Sequence, residues 1–224
     1  MINRVKLVIF DLDGTLVNAY PAVSRSVNYT LSSLGFAPRT DAQIKRSVGW
    51  GDRQLMVHFV GEKLADPALA IYRPHHIKAL GVKGAVKFLP GALVVLKFLK
   101  ARGYKLAIAS NRPAKFTRII LKALGVLPLF DVVLCADKAK RPKPYPDMLW
   151  AIAKRLGLDK KEVLYVGDMT IDVNCAHRAG MRMVAVSTGS SSKKELKALK
   201  PWAIIGKMVK LKSIIMDKVK PRQG

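Results

Sequence analysis

The sequence predicts an α/β fold, a doubly wound parallel sheet with a small all-helical segment inserted after the first strand. Three observations predict it. From residue 92 onward, short apolar runs alternate with helical stretches of about ten residues, the pattern of a parallel sheet covered on both faces. A strand-like run at residues 5–10 stands apart from that series, near the start of the chain. Between Val17 and Lys87 the pattern is helical, with no convincing strand.

The elements follow in order. Residues 5–10 are apolar apart from Lys6 and rich in β-branched side chains, and they read as a buried strand. Asp11-Leu12-Asp13-Gly14-Thr15 ends it. Residues 21–34 carry Val23, Val27, Leu31 and Leu34 on one helical face, and Gly35 stops the helix. Thr40-Asp41 caps a helix that runs through Val48, and Gly49-Trp50-Gly51 breaks the pattern. Another helix follows over 52–60, and further helical pieces reach about Lys87. The alternating series then has helices over 92–101, 114–124, 146–156 and 171–179, each closed by a glycine. Its strands are 105–109, 132–135, 163–166 and 182–186. Helices over 193–199 and 208–217 finish the chain. The expected division is a core of residues 1–16 and 88–224 and a helical cap of residues 17–87.

Composition narrows the class. Half of the 224 residues are hydrophobic, which is enough to bury a core and argues against disorder. No apolar run reaches the ~18 residues of a membrane span. The apolar start is interrupted by Lys6 and followed at once by Asp11 and Asp13, which does not fit a secretory signal. A cytoplasmic protein, with no membrane partner and either monomeric or homodimeric, is expected. Cys135 and Cys175 lie far apart and outside any metal-binding spacing, so they read as buried reduced thiols.

Forty Lys and Arg face fifteen Asp and Glu, a formal charge of +25. Such a chain attracts anions: small phosphates, nucleic acid, acidic membrane surfaces. The basic residues are spread along the chain, most densely from Lys193 through Lys220 and Arg222, and a lysine-coated helical surface accounts for most of them. Aromatic residues are not interleaved with the basic runs, and no zinc finger or RNP stretch is present. A nucleic-acid-associated phosphatase or binding protein is therefore an alternative resting on charge alone.

In open α/β sheets, ligands bind beyond the carboxyl ends of the strands. Four strand ends carry polar residues suited to chemistry. They are Asp11-Leu12-Asp13-Gly14-Thr15, Ser110-Asn111, the loop Lys143-Pro144-Tyr145-Pro146, and Gly167-Asp168 with Asp172 four residues on.

Together these stretches resemble the four motifs of the haloacid dehalogenase superfamily: DxDGT after an apolar strand, an apolar run ending in SN, KPxP, and GDxxxD. The order and spacing hold across essentially the whole chain. The helical insertion after the first motif, and Phe88-Leu89-Pro90-Gly91 as the return from it, are similar to the phosphoglycolate phosphatase and β-phosphoglucomutase branch. The resemblance implies a Rossmann-like core and a Mg²⁺-dependent phosphatase acting on a small phosphorylated metabolite. It implies Asp11 as the nucleophile that forms an aspartyl-phosphate and Asp13 as the general acid and base.

Elementary chemistry agrees with those roles. Two carboxylates two residues apart at a strand end repel each other, and a divalent cation resolves the conflict. Asp11 and Asp168 offer it carboxylate oxygens, and Asp13 a main-chain oxygen. Positioned proton transfer of the kind expected of Asp13 contributes ~10²–10⁴ in rate. Gly14 and Thr15 belong to a turn whose N–H groups suit phosphate oxygens. Ser110 and Asn111 offer a hydroxyl and an amide, and Lys143 a fixed positive charge, to a transferring phosphoryl group. Asp172 is expected to support Lys143 or the metal rather than to bind the metal itself.

Asp13 argues against a dehalogenase, because those relatives lack an acid at that position. A phosphonatase would place a Schiff-base lysine in the cap, where nothing marks Lys45 or Lys63. A phosphomutase shares every core motif and stands as an alternative. By analogy with the branch, Gly49-Trp50-Gly51-Asp52-Arg53 is the specificity loop. Arg53 would hold a carboxylate or second phosphate, and a carboxylate there would suit phosphoglycolate. Trp50 would cover the site or stack on a sugar or base, though it reads equally well as an anchor of the cap.

Overall fold

The computed structural model describes residues 5–216. Lys218, Lys220, Arg222 and the expected end of the last helix at Asp217 lie outside them. Six parallel strands form the central sheet: β1 (Leu7–Phe10), β4 (Lys105–Ser110), β5 (Val132–Cys135), β6 (Val163–Gly167), β7 (Arg182–Val186) and β8 (Ala203–Ile205). Their order is β5-β4-β1-β6-β7-β8. The first strand in sequence therefore lies inside the sheet, paired with β4 on one side and β6 on the other. Chain order reverses at that point, which opens a crevice beyond the ends of β1, β4 and β6.

Alternation along the strands builds two cores. Val8 and Phe10 of β1, with Leu106, Ile108, Leu164, Val166, Val184 and Val186, face one side of the sheet. Leu7, Ile9, Ala107, Ala109, Val163, Tyr165, Met183 and Ala185 face the other. A period of two, apolar at every position, is what a strand buried on both faces requires. Helices α5 (Ala92–Ala101), α6 (Ala114–Ala123) and α10 (Lys210–Met216) cover the first face. Helices α7 (Asp147–Arg155), α8 (Thr170–Ala179) and α9 (Lys193–Ala198) cover the second. The last helix begins at Lys210, two residues later than expected. The strand β8 was not legible: three residues at the sheet's edge, behind Pro201, carry no periodic signal of their own.

Between β1 and α5 the chain is helical but for two short strands at its ends. β2 (Val17–Asn18) and β3 (Lys87–Phe88) pair antiparallel, so the segment leaves and returns through a two-stranded ribbon. Two-residue strands fall below what a periodic pattern can reveal. The helices are α1 (Tyr20–Ser33), α2 (Asp41–Ser47), α3 (Asp52–Val60) and α4 (Ala65–Gly81). Thr40 caps α2 through a reciprocal box with Gln43. The insertion is seated on the core beside β6 and β7: Arg46 donates to the main-chain oxygen of Ser190 at 2.6 Å and pairs with Glu195.

Both cysteines are buried and free. No helix among the described residues is long and apolar enough to cross a membrane.

Candidate active site

The ends of β1, β4 and β6 bring the expected polar residues together around one small cavity. Asp11, Asp13, Ser110, Asn111 and Lys143 line it, joined by Tyr20, Arg112 and Ser190. Its volume is about 50 Å³, room for a few water molecules.

Asp11 and Lys143 form the centre. Lys143 Nζ donates to Oδ1 of Asp11 at 2.6 Å, to Oδ1 of Asp172 at 2.7 Å and to the Tyr165 hydroxyl at 3.1 Å. The Tyr165 hydroxyl donates in turn to Asp172 at 2.6 Å. The second oxygen of Asp172 accepts from the main-chain N–H groups of Asp168 and Met169. Asp172 is thus engaged at both oxygens by protein donors. Burial works against the Lys143 charge, but Asp11 and Asp172 more than offset it and hold the ammonium well above its ordinary range.

Asp168 is wholly buried. Its oxygens accept from the Thr15 hydroxyl at 2.7 Å and from the main-chain N–H of Ser190 at 3.0 Å. Glycines make room for it. Gly14 has φ +80, and a Cβ there would stand 2.6 Å from the Asp168 carboxylate. A Cβ on Gly189 would overlap the same carboxylate.

Asp11, Asp168 and Asp172 place oxygens within 4.8 Å of one another. Burial pushes Asp11 up from 3.8 to about 7, against the pull of Lys143. Burial, then the charges of Asp11 and Asp172, push Asp168 well above the usual carboxylate range. Three buried carboxylates face one ammonium, so the set carries more negative charge than its own cation neutralises. A hard divalent cation fits that donor set: Asp172 already takes two protein donors on each oxygen, whereas Asp168 takes one on each and Asp11 accepts from Lys143.

Asp13 is held differently. Arg112 Nε and Nη2 donate to its two oxygens at 2.6 and 2.9 Å, in a buried fork-to-carboxylate pair. Arg112 Nη1 lies 2.8 Å from Nε2 of His76 on α4. Burial, then the Arg112 charge, lowers His76 to about 2, so its ring is neutral and Nε2 accepts.

Some expected residues take other places. Asn111 uses its amide within the protein: it accepts from the Lys143 N–H and donates to the main-chain oxygens of Lys143 and Gly49. It fixes the Lys143 loop and the Gly49 turn to one another. Ser110 is buried on the wall of the cavity. Trp50 and Arg53 do not line this cavity. Arg53 is bound to Glu62 and Asp66 on the surface of the insertion, at 2.6 and 3.2 Å. Trp50 is 48% exposed and, with Arg53, lines an open groove that adjoins the cavity through Gly51, Asp52, Asn111, Pro113 and Phe116. The acidic neighbours that claim Arg53 lie nine and thirteen residues on, a relation set by how α3 folds onto α4.

Sequence reasoning missed Arg112, His76, Tyr20, Gly189 and Ser190. The run Ser187-Thr188-Gly189-Ser190 stands at the carboxyl end of β7, and that position was a signal for it. The Thr188 hydroxyl donates to the Gly14 main-chain oxygen at 2.7 Å, which ties this loop to the first motif.

The profile of the haloacid dehalogenase-like hydrolases matches residues 8–186. The chain is 37% identical over 202 residues to a phosphoglycolate phosphatase of Rhodospirillum rubrum, covering 83% of this chain and 81% of that protein. It is 25% identical over 221 residues to a phosphoglycolate phosphatase of Nitrosococcus oceani, covering 96% and 98%. A solved structure of a predicted phosphoglycolate phosphatase from Haemophilus somnus superposes with TM-score 0.87 at 26% identity, covering 94% of this chain and 98% of that one.

Proposed function

The chain belongs to the haloacid dehalogenase-like hydrolase family and is a phosphoric monoester hydrolase, and on that premise we propose that it hydrolyses a small phosphate monoester, phosphoglycolate or a close analogue, through an aspartyl-phosphate on Asp11. The observation that carries the reading is the buried Asp11–Lys143–Asp172 chain at the mouth of the β1 strand, beside Asp168 and the cavity.

In this reading Asp11 attacks phosphorus with one carboxylate oxygen, and the ester oxygen leaves. Lys143 holds Asp11 in line and offsets charge on the transferring phosphoryl group, where fixed electrostatics matter most. Ser110 offers its hydroxyl to the phosphoryl oxygens. The Gly14 N–H, expected to serve phosphate, is spent on the Val17 main-chain oxygen at 2.9 Å and the Thr15 hydroxyl on Asp168, so this turn holds Asp168 in place. Asp13 protonates the leaving oxygen and then takes the proton of the water that opens the aspartyl-phosphate. Thr15 and Ser190 orient Asp168, and Tyr165 and Lys143 orient Asp172.

Asp11, Asp168 and the main-chain oxygen of Asp13 would hold Mg²⁺, which when bound would supply charge neutralisation for the carboxylates and the phosphate. The helices between β2 and β3 act as a cap domain, whose seat over a cavity this small favours small esters over phosphoproteins or long nucleic acid.

Phosphate release from a panel of esters tests the reading. The panel holds phosphoglycolate, hexose phosphates, nucleotides and pyrophosphate, each with Mg²⁺ and with EDTA. Mg²⁺-dependent release from one or a few small esters is expected. No release from any of them by the folded protein overturns it.

A further inference from the structure

Two cationic side chains line the cavity among the described residues, Lys143 and Arg112. Lys143 is committed to Asp11 and Asp172. Arg112 is committed to Asp13, the residue assigned above as acid and base. A guanidinium presents one Nε/Nη2 edge that matches a carboxylate, and it holds one carboxylate at a time there. The fork takes the inner lone pair of each Asp13 oxygen, so Asp13 meets a leaving group or a water only through the outer, less favourable ones. Opening the pair returns the inner lone pairs to the reacting groups.

The rest of Arg112 is anchored. Its Nη1 donates to Nε2 of His76. His76 Nδ1 stands 3.1 Å from the Ser26 hydroxyl, which donates to the Ala22 main-chain oxygen at 2.9 Å. These partners assign the proton of His76 to Nδ1 and leave Nε2 an acceptor. The imidazole is wholly buried, stacked on Tyr72 and set edge-on to Phe116. Arg112 is therefore held from the helical insertion at one end while its matching edge faces the core.

We propose that Arg112 is the specificity-determining residue, exchanging the carboxylate of Asp13 for a carboxylate carried by the phosphate monoester and thereby freeing Asp13 for proton transfer. The inference rests on the reading of Asp13 given above. Arg53 is held by Glu62 and Asp66, and Lys45 lies over the Tyr20 ring and donates to the Thr188 main-chain oxygen. An ester without the second anion leaves Arg112 on Asp13 and turns over slowly. The carboxylate thus acts on kcat as well as on KM, because its binding energy opens the pair.

The test compares phosphoglycolate with ethyl phosphate, in which a methyl group replaces the carboxylate. Turnover is measured in the wild type and in Arg112→Met. Binding is measured by calorimetry with Mg²⁺ in Asp11→Asn and in Asp11→Asn/Arg112→Met. The wild type is expected to prefer the carboxylated ester. Arg112→Met is expected to shrink that preference by about 10- to 100-fold, the range for a hydrogen bond between charged groups. Ethyl phosphate turnover in each variant serves as the denominator of that preference. Arg112→Lys keeps the charge without the fork and should keep part of the preference; it gives the same ratio if Arg112→Met does not fold.

An undiminished preference in the variants, or none in the wild type, overturns the inference. Absence of phosphate release from any ester overturns the proposed reaction instead, and the calorimetric ratio still decides the role of Arg112.

Discussion

The ammonium of Lys143 lies 2.6 Å from Oδ1 of Asp11, with both groups buried. The two residues are 132 positions apart, and the contact exists because β1 sits inside the sheet, between β4 and β6, with the Lys143 loop folded across its end. Lys143→Met would leave Asp11 and Asp172 without their cation. Removing one partner of a buried pair costs about 3–5 kcal/mol. Denaturant unfolding in EDTA at pH 8 should show a loss of that order, and phosphate release with Mg²⁺ should fall by about 10²-fold or more. Unchanged stability and turnover would remove Lys143 from the centre.

Asp11→Asn should abolish turnover, by about 10³-fold or more, while the protein stays folded. Circular dichroism and phosphate release together check it. Substantial remaining turnover would refute the nucleophile.

Asp11 also predicts how stability responds to pH without metal. Its folded value is about 7 against 3.8 when free. A raised value means the folded chain binds the extra proton, so this contribution is present in full below about pH 4. It is lost as pH rises through about 7. Asp168, raised in the same direction, adds to the trend. In EDTA, stability should decline from pH 5 to pH 8, and Asp11→Asn should flatten the decline. Added Mg²⁺ should raise the melting temperature more at pH 8 than at pH 5. A metal response independent of pH would contradict the carboxylate site.

Gly189→Ala tests the cradle of Asp168. The new Cβ would overlap the carboxylate, and the displaced group must give up the Ser190 N–H or the Thr15 hydroxyl. Turnover should fall by about 10²-fold, with a matching rise in the Mg²⁺ concentration needed for half activity. A variant with unaltered Mg²⁺ dependence would show that this loop does not position Asp168.

Arg53→Ala should change little, because its partners Glu62 and Asp66 are themselves exposed on the insertion. kcat/KM for any accepted ester is expected within about twofold of the wild type. A rise in KM beyond about tenfold would return Arg53 to the substrate site.

Asp11, Asp13, Ser110 and Asp168 were legible because each is fixed by a local event, the end of an apolar strand, whereas Lys143, in the loop well past β5, was legible only through its Lys-Pro-Tyr-Pro run. A strand buried on both faces writes a continuous apolar run, and the first polar residues after it stand where the crevice opens. Asp172 was legible by the helical spacing that turns it back toward Asp168. Arg53 was placed in a specificity loop by analogy with the branch; the charges that hold it, Glu62 and Asp66, come from the turn and the helix that follow α3.

By itself, the sequence determined the alternating strands and helices, the helical insertion and the polar strand ends, since periodicity and glycine stops act over a few residues. The tertiary structure alone decided which charges meet. Arg112 reaches Asp13 across 99 positions and His76 across 36, and Thr15 reaches Asp168 across 153. Those pairings depend on the strand order and on where the insertion is seated, and a buried charge takes the partner that geometry brings to it, however far away that partner lies in the chain.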